Sequence, residues 1–201
     1  MEKKAVIIDM DGCLVNLDET LVKKASDTLN FDLAKVDWKT YSYEDTVTRY
    51  VDIPKEKVTE ILNSIWNEKG FWRSLSSYEG AIEAINELSQ DCNILVCTRI
   101  PKGCPNAFIE KEGWIIDHFP NIQIEFFAVS NGAKKTRIKC DYIIEDRLKE
   151  IRFCPPETTA ILINRTWNTK ESTEWSRDLG FIRVNSWNEI PGIILKKWVW
   201  R

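Results

Sequence analysis

The chain of 201 residues is predicted to fold as an α/β protein, a doubly wound parallel sheet with a small helical cap inserted after the first strand. Three observations carry that expectation. The apolar run Val6, Ile7 and Ile8, ended by Gly12, reads as a short buried strand. From residue 79 onward, strand-like runs alternate with amphipathic helical stretches, the pattern of a parallel sheet covered on both faces. Between the two, residues 16 to about 78 are polar and helix-rich. The expected boundaries are 1–15 and 76–201 for the core and 16–75 for the cap.

The elements follow in order. Within the cap, Leu17, Leu21, Val22, Ala25 and Leu29 keep helical spacing. Val58, Ile61, Leu62, Ile65 and Trp66 keep it more clearly, behind Pro54 at a helix-start position. The intervening stretch DWKTYSYEDTVTRYV is aromatic and polar and has no clear period. EGAIEAINELS predicts a helix, NILVCT (93–98) a strand and CPNAFIEKEGWIIDHF a helix. IEFFAV (124–129), YIIED (142–146) and TAILIN (159–164) predict strands. A short helix near 172–179, a strand FIRV (181–184) and a last helix up to Trp198 complete the chain. SWNE (186–189) has capping-box spacing at the start of that helix, where Pro191 and Gly192 blur the boundary.

Composition narrows the function. A net charge of −3 argues against a surface for nucleic acid polymers, which draws on clustered Lys and Arg. No apolar stretch reaches membrane-spanning length, and MEKK leads into the first strand without a signal-like apolar region. The six cysteines include no C-x-x-C pair, so a zinc site or disulfide framework is not expected, and reduced thiols in a cytoplasmic protein are. Some of the nine tryptophans could form a flat wall for a ring-shaped ligand.

The stretch AVIIDMDGCLV (5–15) carries the chemistry. Asp9 and Asp11 stand where a strand leaves the sheet, the usual position of binding groups in α/β folds. Two carboxylates so close repel unless a proton or a cation lies between them. ILVC ends in Thr98 and Arg99, and YII ends in Glu145, Asp146 and Arg147. Lys135 follows the strand IEFFAV, in NGAKKTRIKC. In a parallel sheet these strand ends converge on one edge. Singly, each has a bland reading: an acidic pair caps a turn, and a loop lysine is a solvated charge. Together and in this order they suit phosphoryl transfer from a monoester. Asp9 is the expected nucleophile, forming an aspartyl-phosphate. Asp11 is the expected acid for the leaving oxygen and then base for water. Asp146, Asp9 and the backbone carbonyl of Asp11, with Glu145 beside them, are expected to hold Mg²⁺. Thr98 and Lys135 would hold the phosphate oxygens, with Arg99 next to them on the substrate.

DMDG, CT, the lysine and IIEDR, in that order, resemble the four motifs of the haloacid dehalogenase-like phosphohydrolases. The resemblance is closer still to their 5'(3')-deoxyribonucleotidase family and runs over nearly the whole chain. SIWNEKGFWRSL and GAIEAINEL resemble that family's return from cap to core, CPNAFIEKEGWIIDHF its helix after the second motif, and VNSWNEI its C-terminal helix. The resemblance implies Mg²⁺-dependent hydrolysis of a nucleoside monophosphate, with a preference for deoxy and pyrimidine forms, and family roles on Asp9, Asp11, Thr98, Lys135 and Asp146. Three positions depart from the pattern. Glu145 replaces the first of an aspartate pair, Arg99 and Ile100 replace a small polar residue and a proline, and Leu17 stands where an aromatic commonly faces the base.

Trp66, Phe71 and Trp72 lie where the cap must fold back over the strand edge, so a base could stack there, although core packing explains Trp66 equally well. Trp38, Tyr41 and Tyr43 are further cap candidates. His118, the only histidine, reads as a helix-end residue rather than a catalyst. Cys13 and Cys97 read as packing residues. Two alternatives stand beside the nucleotidase reading: a phosphatase of the same superfamily acting on another small metabolite, and a non-catalytic binding protein of the same fold. The oligomeric state is open, a homodimer included.

Overall fold

The structure is a computed structural model and describes residues 3–37, 42–129, 135–168 and 180–196. Trp38, Tyr41, the helix expected near 172–179 and the tail beyond Lys196 lie outside the described residues.

Among the described residues, six parallel strands form one sheet: β1 (Lys4–Asp9), β2 (Cys92–Arg99), β3 (Ile124–Val129), β4 (Tyr142–Glu145), β5 (Thr159–Ile163) and β6 (Ile182–Val184). Their order is β3-β2-β1-β4-β5-β6. The chain winds outward from β1 in both directions, so β1 lies at the point where strand order reverses. Ligands in open α/β sheets bind beyond the carboxyl ends of the strands at that point.

Period-two alternation divides the sheet between two cores. Val6, Ile8, Val96, Ile144, Ile161 and Ile163 lie on one face, in a cluster of buried residues that also takes in side chains of α1 (Leu17–Leu29), α3 (Lys55–Trp66), α4 (Ala81–Asp91), α5 (Ala107–His118) and α7 (Ile190–Ile194). Ile7, Leu95, Cys97, Ile143 and Leu162 pack on the other, against Leu148 and Ile151 of α6 (Leu148–Ile151). Each such side chain contributes about 1.5–3 kcal/mol by leaving water. A single polar replacement at Ile7 or Ile8 would therefore strike one whole layer.

Between β1 and α4 the chain makes α1, a 3-10 turn at Leu33–Lys35, α2 (Tyr43–Thr48), α3 and a second 3-10 turn at Trp72–Ser74. Helix α1 starts where Asn16 accepts the amide of Glu19, and it ends at Asn30 in the left-handed region. Helix α3 starts behind Pro54 and buries Val58, Leu62 and Ile65, as its spacing predicts. Helix α2 is an addition to the sequence reading. Ser42 accepts the amide of Asp45, an N-cap that the surrounding aromatics obscure.

The C-terminal end also differs from expectation. Ser186 and Glu189 do form a reciprocal capping box, which opens a 3-10 turn at Trp187–Glu189 leading into α7. Helix α7 stops at Ile194 instead of continuing to Trp198, and Lys196 turns the chain with a φ of 51°. No helix among the described residues is long and apolar enough to cross a membrane.

Candidate active site

Asp9 closes β1 in register with Cys97 of β2, so Thr98 and Arg99 extend just beyond it on the neighbouring strand. Glu145 closes β4 on the other side, and Asp146 follows it. The 3-10 turn Lys135–Arg137 delivers a buried lysine from between β3 and β4. Parallel pairing thus gathers residues more than a hundred positions apart. The structure brings together Asp9, Asp11, Thr98, Arg99, Lys135, Glu145 and Asp146.

Within this group, Asp9, Glu145 and Asp146 each offer an oxygen within 4.8 Å of the others, and all three are buried. The Lys135 ammonium donates to Asp9 Oδ1 and, at 3.1 Å, to Glu145 Oε1. Asp9 Oδ1 also accepts the Met10 amide at 2.8 Å. The Trp167 indole donates to Asp146 Oδ2 at 2.9 Å. Glu145 Oε2 and Asp146 Oδ1 are buried without a hydrogen-bond partner among the described residues.

Their protonation equilibria express this crowding. Burial first, and then the charge of Asp9, pushes Asp146 up to about 8 and carries Glu145 well above the usual carboxylate range. Burial works to lower Lys135, but the charges of Asp9 and Glu145 outweigh it and hold its ammonium above the ordinary lysine range. Among the described residues, Lys135 is ion-paired with two of these three buried carboxylates, Asp9 and Glu145. Two orphaned oxygens in an all-oxygen set are what a hard divalent cation would use. The residues present fit a metal ion, and Asp9, Glu145 and Asp146 would hold it.

The Asp11 side chain stands apart from that trio. Its Oδ2 accepts from Lys111 Nζ at 2.5 Å and from the Thr98 hydroxyl at 3.4 Å, while Oδ1 is buried without a partner among the described residues. Burial raises its pKa and Lys111 opposes the rise. Arg99 pairs with Glu150, and with Asp9, Asp11, Lys135 and Arg147 these two line a small cleft of about 30 Å³. A larger cavity of about 1060 Å³ opens alongside, between the first turn of α1, Tyr78 and the segment after β5. The converging carboxylates, rather than the larger space, mark the chemistry.

The aromatic expectations resolve mostly into packing. Leu17 and Phe71, expected against substrate, are 4% and 2% exposed and lie in the main core. Leu17 is the first residue of α1 and turns inward with Leu21, whereas the next residue, Asp18, lines the larger cavity. Phe71 packs edge-on against Trp72. Trp66 is half-buried, stacked on Trp72 with its indole donating to Asn63, and it lines neither cavity. Tyr43 meets Trp66 edge-on. His118 donates to the Trp114 carbonyl and stacks on that indole at the end of α5. Cys13 and Cys97 are buried, and burial pushes both thiols up, so neither is primed as a nucleophile. None of the six cysteines is disulfide-bonded.

Three contributors escape the sequence reading. Lys111 sits in the charged run IEKEGW, which reads as a solvated helix face. Arg165 donates to the carbonyls of Gly12 and Cys13 and stacks on Tyr78, clamping the loop that follows Asp11. Asn168 donates to the carbonyls of Asp146 and Ile163, tying the ends of β4 and β5 together. The signal for the last two was their place just past a strand's carboxyl end.

A parallel sheet wound both ways from an Asp-x-Asp strand, with helices inserted after it, is the haloacid dehalogenase-like hydrolase fold. A solved haloacid dehalogenase-like hydrolase from Streptococcus pneumoniae superimposes with a TM-score of 0.62 at 15% identity, covering 95% of this chain and 98% of that one. A family model described as 5' nucleotidase, deoxy (pyrimidine), cytosolic type C protein matches residues 3–199. The chain belongs to this family and is a phosphoric monoester hydrolase. An inferred 5'(3')-deoxyribonucleotidase of Staphylococcus aureus (strain Mu50) is 26% identical over 197 residues, 97% of each chain. The mitochondrial 5'(3')-deoxyribonucleotidase of Mus musculus is 28% identical over 151 residues, 71% of this chain and 64% of that one.

Proposed function

We propose that the protein removes phosphate from 5'(3')-deoxyribonucleotides by way of an aspartyl-phosphate on Asp9, with Mg²⁺ as its metal. The observation that carries the reading is the buried trio Asp9, Glu145 and Asp146, with Asp9 and Glu145 ion-paired to Lys135 and with Asp11 and Thr98 nearby. Oxygen-only donors favour Mg²⁺ over softer ions, and the bound ion would offset charge on phosphate oxygens.

The side chains then divide the work. Lys135 and the Met10 amide fix Asp9 through Oδ1, which aims the carboxylate at phosphorus. An Asp9 oxygen bonds to phosphorus as the ester oxygen leaves, and Asp11 gives that oxygen its proton. Asp11, now ionised, takes a proton from water as the water oxygen attacks the phosphorus of the aspartyl-phosphate. Phosphate departs, Asp9 is restored and Asp11 again holds a proton. Lys135 and Thr98 stabilise the phosphate oxygens through both steps. Arg99 and its partner Glu150 line the small cleft beside Asp9, Asp11 and Lys135, so a phosphate entering it would meet that ion pair.

In this reading residues 16–75 act as a cap that chooses the leaving group, and the enzyme works in the cytoplasm, where its cysteines stay reduced. The test is turnover with Mg²⁺ on a panel of deoxyribonucleoside, ribonucleoside and sugar monophosphates. Preference for deoxyribonucleotides, lost in Asp9→Asn, is the expected result. Turnover of sugar phosphates alone would replace the substrate, and full activity in Asp9→Asn would replace the mechanism.

A further inference from the structure

Lys111 has no task in the scheme above, yet its placement is among the most constrained in the protein. The side chain is 0% exposed, a rarity for lysine. Its Nζ lies 2.5 Å from Asp11 Oδ2, 2.9 Å from Thr98 Oγ1 and 3.1 Å from the Arg99 carbonyl. Three acceptors match the three protons of an ammonium. The indole face of Trp72 closes the remaining side, 4.4 Å from Nζ to the ring centroid.

Trp72 is itself held in place. Its amide donates to Glu110, the residue before Lys111, and its indole donates to the Trp66 carbonyl at the end of α3. Helix α5 thus grips the return from the cap with one side chain and the site with the next. Burying an ammonium is costly unless it is fully partnered. Packing alone would be served at lower cost by an apolar side chain.

We infer that Lys111 is a positioning residue for the acid–base step, holding Asp11 by Oδ2 so that Oδ1 faces the leaving oxygen, with Trp72 as its seat. The inference rests on the assignment of Asp11 as acid and base. It follows from two contacts and one absence: Lys111 and Thr98 occupy Oδ2, and Oδ1 is buried with no partner among the described residues. The proton that Asp11 delivers is therefore carried on Oδ1, since Lys111 can only donate. The cap return becomes part of the alignment, because moving Trp72 uncovers Lys111.

The experiment compares Lys111→Met with the wild type in the presence of Mg²⁺ on two esters. One is a deoxyribonucleoside monophosphate, whose alkoxide leaving group needs a proton. The other is p-nitrophenyl phosphate, whose phenolate does not. The ratio kcat/KM reports the transfer to Asp9 in both. The nucleotide value is expected to fall at least about tenfold further than the aryl value, a fraction of the factor general acid catalysis supplies. Equal losses on both esters overturn the inference and return Lys111 to a structural role. Should Lys111→Met not fold, Trp72→Phe loosens the seat, and a selective loss of about threefold or more is expected; no selectivity there is equally fatal. Asp11→Asn on the same pair separates the two levels. If it also spares neither ester selectively, the assignment of Asp11 fails, not the placement of Lys111.

Discussion

Replacing Gly12 by alanine tests the site through its backbone rather than through a reacting group. Gly12 has a φ of +76°, where an alanine costs about 1–2 kcal/mol. An alanine Cβ there would lie 2.7 Å from Asp146 Oδ2 and 3.2 Å from the Trp167 ring. Asp146 cannot swing away cheaply, because it is fully buried and bonded to that indole. Overpacking of this kind adds about 1–3 kcal/mol. Gly103 supplies the control, with a φ of +81° and nothing within 4 Å of its added Cβ. In urea titrations Gly12→Ala is expected to lose about 1–3 kcal/mol more than Gly103→Ala, the contact share of the cost. Displacing Asp146 should also lower kcat/KM about a hundredfold in Gly12→Ala, the scale of an ångström's misplacement, with Gly103→Ala near wild type. Equal destabilisation, or full activity in Gly12→Ala, would refute the placement of Asp146 against the loop.

Two further outcomes are expected. Mg²⁺ at a hundred times its Kd should stabilise the wild type by about 2.7 kcal/mol, seen as a higher Tm. Asp146→Asn should raise the metal-free Tm by relieving the crowd of carboxylates and lose most of the Mg²⁺ response; an unchanged response would remove Asp146 from the metal site. The second concerns Asp18, which burial pushes from the ordinary 3.8 up to about 6 in the fold. The folded state favours its neutral form, so that stabilisation is complete below pH 3.8 and is lost as pH rises through about 6. The gap of about two pH units is worth on the order of 3 kcal/mol. Asp18→Asn should therefore be more stable than the wild type at pH 8 and lose that advantage by pH 4. A difference that does not change with pH would contradict it.

The sheet was legible because its strands are short apolar runs that stop at polar residues. Val6 to Ile8 before Asp9, and Tyr142 to Ile144 before Glu145, announce both the strand and the group it presents. Helices α1 and α3 were legible from spacing alone. Helix α2 was not, because Tyr43 and the aromatics before it break the period that Ser42 caps. The acidic trio and Lys135 were legible because parallel topology sends every strand's carboxyl end to one edge. Lys111 was not, since its partner Asp11 lies a hundred positions away and its own neighbours are charged. Leu17 and Phe71 were misplaced for a related reason. Chain position puts them near the site, but the inward-facing stripe of a helix or turn decides which way an apolar side chain points.

The central claim is that Asp9 carries the phosphoryl group between substrate and water. Acid-quenching the enzyme during turnover of a deoxyribonucleotide with Mg²⁺, then reducing it with borohydride, converts an acyl phosphate to an alcohol that mass spectrometry locates. Homoserine at position 9, absent without substrate, is the predicted result. An unaltered Asp9 peptide under conditions where phosphate is being released, or the label on another carboxylate, would contradict it.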